Sequence, residues 1–434
     1  MANKINSIAV LGSGTMGAGI AALAADKDCK VLLLDIDESS VNKAKMNIVN
    51  EKKPMLSLPD NIKNIEVGTF DKDFHKIANY DWVCEAVVEK LEIKREIFTK
   101  IEKFRSKSSF VSSNTSGIPL KEITKDMPES LLKDVCITHF FNPVKVMKLC
   151  ELIPGEKTSK EALETLSIFL KNTFEKGVVY GKDTVNFIGN RIGCFFMLKG
   201  LHEGKEARKK NLTIEKMDSL LSKPVGLPPT GLYGLIDLIG LDVMYSVGKN
   251  LELNLPENDL GKPYVNLPEA ELSLYNNGQL GRKTGGGFYR IRKNNNGEKI
   301  KEVYDLENSE WVLTKKEGIN ASSYNLMLED NLEGNYVWNV MGSSLLYAAD
   351  LIPEIANDIV NIDNAMKWGF AWQKGPFEIL DALGPKKVIE KCNNLEIKLP
   401  RMLEVINNST KDTFYSNNNE FLNINGNYEK IIGA

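Results

Sequence analysis

Residues 7–25 read SIAVLGSGTMGAGIAALAA, and the first half of the chain is organised around this stretch. An apolar run, Ser7–Leu11, gives way to Gly12-Ser13-Gly14-Thr15-Met16-Gly17, after which small apolar residues continue to Ala25. A G-x-G-x-x-G turn alone is a weak signal. Here it follows a strand pattern, opens a helix pattern and precedes a second apolar run, KVLLLD, the context that gives the fingerprint meaning. The glycines permit a tight turn and let a pyrophosphate approach the N–H groups at the helix start. Asp35 ends the second run, 18 residues past Gly17. A carboxylate there accepts hydrogen bonds from a ribose 2′-hydroxyl and repels a 2′-phosphate, so NAD is expected over NADP. Gly12, Gly14, Thr15, Met16, Gly17 and Asp35 are the expected cofactor-binding residues. The glycines also interrupt the uncharged stretch, which therefore lacks the continuous apolar block of a spanning helix or an export signal.

Outward from this turn, short apolar runs alternate with amphipathic stretches to about residue 185. Strands are expected at Ser7–Leu11, Lys30–Leu34, Trp82–Val87, Ser109–Ser113, Cys136–Phe141, Leu149–Ile153 and Gly177–Tyr180. Near-continuous apolar strands alternating with helices predict a mostly parallel sheet covered on both faces. From Asn186 onward helical patterns dominate. A repeat is visible there: GLYGLIDLIG (231–240) matches GPFEILDALG (375–384), so that Gly231, Asp237 and Gly240 recur 144 residues later as Gly375, Asp381 and Gly384. Upstream, MDSLLSKPVG and IDNAMKWGFA are looser counterparts. The expected organisation is a Rossmann-type α/β dinucleotide-binding domain (1–185) followed by a duplicated all-α domain. The two helical copies span 186–291 and 326–434, and an exposed linker, 292–325, joins them around Lys293-Asn294-Asn295-Asn296-Gly297.

Composition narrows the class. Over 434 residues, 42% hydrophobic and 26% charged content is that of a globular protein, and 55 basic against 58 acidic residues leave a net charge of −3. No basic footprint for nucleic acid results. Six scattered cysteines without a C-x-x-C pair fit reduced thiols better than disulfides or a zinc site, and neither metal nor membrane is implied. The expected location is the cytoplasm.

Chemistry has few candidates, because only three histidines occur: His75, His139 and His202. His139 sits in THFFNP, where an apolar strand meets a proline turn; His75 and His202 lie among charged residues and read as surface. Glu151, 12 residues beyond His139, lies inside the apolar run KLCELIP. A carboxylate there needs a partner to offset desolvation, and two successive strands joined by a short loop bring it to His139. A histidine oriented by a carboxylate is what a general base near neutral pH requires. The competing reading is a satisfied core histidine beside a solvated strand-end glutamate. Ser113-Asn114-Thr115-Ser116 end another strand, where they either hydrogen-bond a ligand or serve as ordinary turn and cap residues.

Together GSGTMGAGIA, Asp35, EAVVEKLEIK, SSNTSG, THFFNPVKVMKLCELI, DTVNFIGNRI and GRKTGGGFY, in this order, resemble the L-3-hydroxyacyl-CoA dehydrogenase family of fatty-acid oxidation. The repeat extends the likeness to the longer members, which carry two helical copies. The resemblance implies NAD-dependent oxidation of (S)-3-hydroxyacyl-CoA to 3-oxoacyl-CoA. It makes His139 the general base, Glu151 its orienting partner, and Ser116 and Asn190 contacts of the reacting oxygen. Asn142 falls beside the nicotinamide, and Glu89, Lys94 and Lys283 fall where the family contacts NAD.

There are departures from the family pattern. Ile36 and a second acid, Asp37, follow Asp35, and two extra residues separate SSNTSG from His139. No match is evident for the coenzyme A phosphate site, for which Lys43, Lys45, Lys52 and Lys53 are the nearest substitutes. Two other classes share features: a Rossmann oxidoreductase acting on a different 3-hydroxy acid, and a non-catalytic NAD-binding structural protein. The resemblance further implies that the second copy replaces a partner subunit, leaving a monomer, and that an enoyl-CoA hydratase is a functional partner. About 45 residues follow the repeat, fewer than such a hydratase domain needs.

Overall fold

Ile8 and Val10 face one apolar cluster while Ala9 and Leu11 face another, which is why the first strand is buried throughout. The computed structural model describes residues 5–50, 52, 54–293, 296–315, 317 and 323–431. It divides into two units, Met1–Ile188 with Glu354–Ala356, and Gly189–Pro353 with Asn357–Ala434. The strands of the first unit are β1 (Ser7–Leu11), β2 (Lys30–Asp35), β3 (Ile65–Thr69), β4 (Trp82–Glu85), β5 (Phe110–Ser113), β6 (Val135–Phe140), β7 (Leu149–Pro154) and β8 (Gly177–Tyr180). They form one sheet in the order β3-β2-β1-β4-β5-β6-β7-β8.

Every neighbouring pair is parallel except β6 and β7, which run antiparallel. Helices α1 (Thr15–Asp26), α2 (Glu38–Ile48), α3 (Leu91–Phe104) and α4 (Lys160–Asn172) cover the sheet. Residues of α1, α2 and α4 fill one cluster, and Ile97, Phe98 and Ile101 of α3 fill the other. The strand order reverses about β1, so a crevice opens at the carboxyl ends of β1 and β4. Strand β3 was not anticipated from its sequence; as an edge strand it has an exposed Glu66 and only two buried residues. The expected strand Trp82–Val87 stops at Glu85, whose carboxylate takes the Val87 N–H at 2.8 Å.

The second unit opens with α5 (Gly189–Arg208), which is buried along most of its length. Its further helices include α6 (Ile214–Leu220), α7 (Gly231–Ile239), α8 (Leu241–Asn254), α9 (Ser343–Asp350), α10 (Ile359–Gly369), α11 (Pro376–Leu383) and α12 (Pro385–Asn394). The sequence repeat is a structural repeat built on buried aspartates. Asp218 accepts the N–H groups of Tyr233 (2.7 Å) and Gly234 (3.1 Å) and the Tyr289 hydroxyl (2.8 Å). Asp363 does the same with Phe377 (2.8 Å), Glu378 (3.1 Å) and Tyr415 (2.8 Å). Asp237 takes the N–H groups of Phe288 and Tyr289, as Asp381 takes those of Phe414 and Tyr415. Even the crossed rings repeat, Tyr233 on Phe288 and Phe377 on Phe414, both at 76°. Burial pushes Asp218 up to about 7 and Asp363 up to about 8, so the copies also match electrostatically.

Two stretches differ from expectation. Where 292–325 reads as a linker, β9 (Tyr289–Lys293), β10 (Lys299–Asp305) and β11 (Glu310–Leu313) form an antiparallel sheet; Asn294 and Asn295 lie outside the described residues. Long polar side chains hold it. Glu302 bonds Arg290 and Arg292, and Arg290 stacks on Trp311 at 4.2 Å, an interaction invisible to hydropathy. The second copy, expected to be all-α, likewise contains a sheet, β12 (Tyr415–Ser416), β13 (Glu420–Leu422) and β14 (Tyr428–Lys430). Each copy of the aspartate network thus ties helices to a small sheet. Among the described residues no single helix is long and apolar enough to cross a membrane.

Asp237→Ala and Asp381→Ala each leave two backbone donors without their acceptor, and an unsatisfied buried group costs about 1–3 kcal/mol. Both variants are expected to lower the denaturation midpoint by comparable amounts in urea titrations followed by fluorescence. An unchanged midpoint in either would show that the network is not equivalent in the two copies.

Candidate active site

The glycine turn has the geometry a pyrophosphate needs. Gly12 has φ +104°, and a Cβ there would meet the Ala86 carbonyl oxygen at 2.5 Å. At Gly17 a Cβ would lie 1.8 Å from the Gly12 oxygen, so only glycine lets α1 close on the turn. A Cβ on Gly14, in contrast, would meet nothing within 4 Å, and Gly14 and Thr15 are exposed while Met16 is half-buried. The first turn of α1 has no acidic residue and no side-chain cap, which leaves its N–H groups to an anion. Asp35 accepts the Ser13 N–H and hydroxyl, both at 2.6 Å, and the Ile36 N–H at 2.7 Å. Ser13, a variable position of the motif, thus aims the carboxylate. A cleft of about 310 Å³ beside it is lined by Gly14, Thr15, Asp35, Ser40 and Lys43 among others. Of the lysines considered for a phosphate, Lys43 opens on this cleft; Lys45 and Lys52 are exposed, and Lys53 lies outside the described residues.

Beyond β4 and β5 the structure brings together an ion cluster in which Lys94 and Glu85 are buried and Glu89 is exposed. Lys94, fully buried on α3, bonds Glu85 at 2.8 Å and Glu89 at 3.2 Å. Burial pushes its pKa down, but the charges of Glu85 and Glu89 outweigh this and raise it. Desolvation works against ionised Glu89, yet Lys94 and hydrogen bonds from Thr115 and Ser116 hold it below the usual carboxylate range. Glu89 accepts the Thr115 hydroxyl (2.6 Å) and the N–H groups of Ser116 (2.9 Å) and Gly117 (3.2 Å). Glu85 also takes the Ser113 hydroxyl. The cluster therefore fixes the backbone of the loop on which Ser116 stands exposed. Sequence reading missed Glu85, which looks like one more strand-end acid.

His139 and Glu151 are directly opposite each other across the antiparallel β6–β7 ladder, and the register places both on one face. The imidazole Nδ1 lies 2.6 Å from Glu151 Oε2, with His139 3% and Glu151 0% exposed. The second carboxylate oxygen accepts the Ile188 N–H at 3.1 Å. Phe141 and Phe187 flank the imidazole, with ring centroids 4.6 and 5.7 Å away. Asn186 and Phe187 adopt φ +60° and +50°, an uncommon conformation for a bulky residue, and this turn delivers both the ring and the Ile188 donor. Asn142 follows His139 by three residues and is exposed. Its loop is held by Lys176, a buried lysine that donates to the carbonyls of Val144 and Met147 and that sequence reading also missed. Two expected site residues belong to the second unit. Asn190 lies half-buried in the first turn of α5, and Lys283 pairs with Asp242 at 2.5 Å. No cluster suited to a metal occurs among the described residues.

A dinucleotide-binding domain that also buries an imidazole–carboxylate pair is the framework of a nicotinamide-dependent oxidoreductase. Comparison with known proteins narrows this. Residues 7–184 match the model of the 3-hydroxyacyl-CoA dehydrogenase NAD binding domain, and residues 187–291 match that of the 3-hydroxyacyl-CoA dehydrogenase C-terminal domain. The rat protein named hydroxyacyl-coenzyme A dehydrogenase, mitochondrial, is 32% identical over 66% of this chain and 92% of its own length. A Rickettsia felis protein whose name is that of a fatty acid oxidation complex trifunctional enzyme is 38% identical over 93% of this chain. This chain covers 57% of that relative's length. The 3-hydroxybutyryl-CoA dehydrogenase of Escherichia coli K12 superposes with a TM-score of 0.69 over 91% of this chain and 95% of its own, at 23% identity, a likeness that speaks for the fold. The chain belongs to the 3-hydroxyacyl-CoA dehydrogenase family, and NAD is the cofactor its first unit is built to hold.

NADH is expected to bind at least about tenfold more tightly than NADPH, and Asp35→Ser to narrow that gap by removing the repulsion of a 2′-phosphate. Fluorescence titration with both nucleotides checks it; equal affinities in the unaltered protein would mean that Asp35 does not read the ribose.

Proposed function

We propose that this chain oxidises (S)-3-hydroxyacyl-CoA to 3-oxoacyl-CoA, and the observation that carries the reading is the buried His139–Glu151 pair. The carboxylate accepts from Nδ1–H, which fixes the tautomer with a lone pair on Nε2. Nε2 takes the proton of the substrate 3-hydroxyl, and Glu151 stabilises the imidazolium as it forms. The glycine turn and Asp35 would hold NAD, which when bound would supply the acceptor for the hydride that leaves C3. Ser116 and Asn190 steady the charge on the reacting oxygen. Asn142 would lie beside the nicotinamide of the bound cofactor, and Glu89, Lys94 and Lys283 would complete its site. For Glu89 and Lys94 the ion cluster supports a role in shaping the loop of Ser116.

The domain assignment follows from the same reading: a cofactor domain to about residue 185, a first helical copy to 291 and a second copy from 326, with the β9–β11 sheet between. The repeated aspartate network supports an internal pair of modules in which the second copy stands where a partner subunit would, so the active species is a single chain. The trifunctional name of the Rickettsia relative supports a hydratase as functional partner.

Acetoacetyl-CoA reduction, followed by loss of NADH absorbance, tests the activity. His139→Gln is expected to lower kcat by about 10³-fold while NADH still binds, since removal of a positioned base costs roughly 10²–10⁴. Glu151→Gln lowers it less. A His139→Gln protein with more than about a tenth of the original activity would remove His139 from the chemistry.

A further inference from the structure

The motif DTVNFIGNRI places Asn190 at the start of α5 and an arginine, Arg191, immediately after it. Arg191 is 2% exposed, although a buried guanidinium is tolerated only when its donors are paired. Its partners close a triangle. The Arg191 Nη2 donates to Asp259 Oδ2 at 2.5 Å, its Nε donates to the Tyr347 hydroxyl at 2.5 Å, and that hydroxyl donates to Asp259 Oδ1 at 2.9 Å. Asp259 lies in the first helical copy, whereas Tyr347 stands on α9, in the second. The same tyrosine ring stacks on Phe195, one turn further along α5, with centroids 4.2 Å apart and 28° between the planes.

Two more side chains of the second copy reach these turns. A Cβ on Gly193 would lie 2.1 Å from the Phe370 ring, so only glycine lets that ring reach the helix there. Trp372 packs edge-on against Phe196, with centroids 5.9 Å apart. Residues 191, 193, 195 and 196, the two turns that begin at Asn190, are thus held by Tyr347, Phe370 and Trp372. Within the second unit, the register and tilt of the segment carrying Asn190 depend on side chains that the first copy does not possess.

We infer that the second helical copy is a positioning element for the reaction, with Tyr347 acting through the Arg191–Asp259 pair to hold Asn190 where the reacting oxygen needs it. This inference rests on the dehydrogenase reading above. It gives the duplicated module a specific task, distinct from adding stability: a closed hydrogen-bond triangle has one satisfied geometry, so it transmits a defined position along α5.

A double-mutant cycle tests it. Tyr347→Phe keeps the stacked ring and removes only the hydroxyl, so the chain stays folded. Its kcat with acetoacetyl-CoA is expected to fall by roughly tenfold, while NADH affinity does not change, because Arg191, Asp259 and Phe195, which Tyr347 bonds and stacks on, are not among the residues assigned to the cofactor. In an Asn190→Ala background the same change adds little, because its effect passes through Asn190. Hydrogen exchange over residues 189–196 rises in Tyr347→Phe, and Gly193→Ala, which displaces Phe370, raises it as well. An unaltered chain inactive on every acyl-CoA tried would refute the dehydrogenase reading. An active chain in which the Tyr347 and Asn190 effects simply multiply, or in which Tyr347→Phe leaves exchange over α5 unmoved, would overturn this inference alone.

Discussion

The change of strand direction between β6 and β7 is the constraint on which the site depends. Parallel neighbours need a long crossover, which would separate two successive strands by a helix. Because β7 runs antiparallel to β6, a loop of eight residues, 141–148, suffices, and Glu151 lies opposite His139 with only 12 positions separating them. The ladder then does what flexible side chains cannot. It fixes the distance between imidazole and carboxylate by backbone register, inside a sheet buried on both faces. A buried carboxylate without that partner would be costly, so the pair is also a condition of the fold. The strained turn at Asn186 and Phe187 completes the pair by bringing the Ile188 donor and an aromatic wall to it.

A second division of labour runs through the cofactor domain. The glycine turn offers backbone N–H groups to a ligand, while the neighbouring loop is fixed by Glu89, which pairs with buried Lys94. Lys94 bonds Glu85 and Glu89 together, and the other oxygen of Glu89 holds the loop of Ser116. The helical unit uses the same device twice: in each copy, two aspartates gather backbone donors from a helix start and from a small sheet. A duplicated module that keeps its buried acids keeps its shape, which is why the second copy can grip α5 with aromatic side chains although it has no dinucleotide turn of its own.

Much of this was legible in the sequence, and for identifiable reasons. The doubly covered sheet shows as apolar runs, the cofactor turn as glycines between a strand and a helix, and the repeat as Gly–Asp–Gly at a constant offset. The pairing of His139 with Glu151 was open on spacing alone, and became specific with the surrounding motif. What escaped were structures made of polar residues. The β9–β11 sheet is held by arginine, glutamate and tryptophan, so its hydropathy reads as a linker. Glu85, Lys176 and Ser13 escaped because their roles are set by partners distant in the chain; a lysine that clamps two carbonyls 29 and 32 residues away looks, in sequence, like any solvated lysine. Arg191 and Tyr347, 156 residues apart, are the extreme case.

The account turns on which imidazole nitrogen of His139 carries the proton. With only three histidines in the chain, nitrogen-15 NMR of histidine-labelled protein resolves each ring, and a His139→Gln sample assigns the one that matters. At neutral pH the account predicts that His139 is the tautomer protonated at Nδ1 and bare at Nε2, and that the preference disappears in Glu151→Gln. A ring protonated at Nε2 in the unaltered protein, or a tautomer indifferent to Glu151, would contradict it.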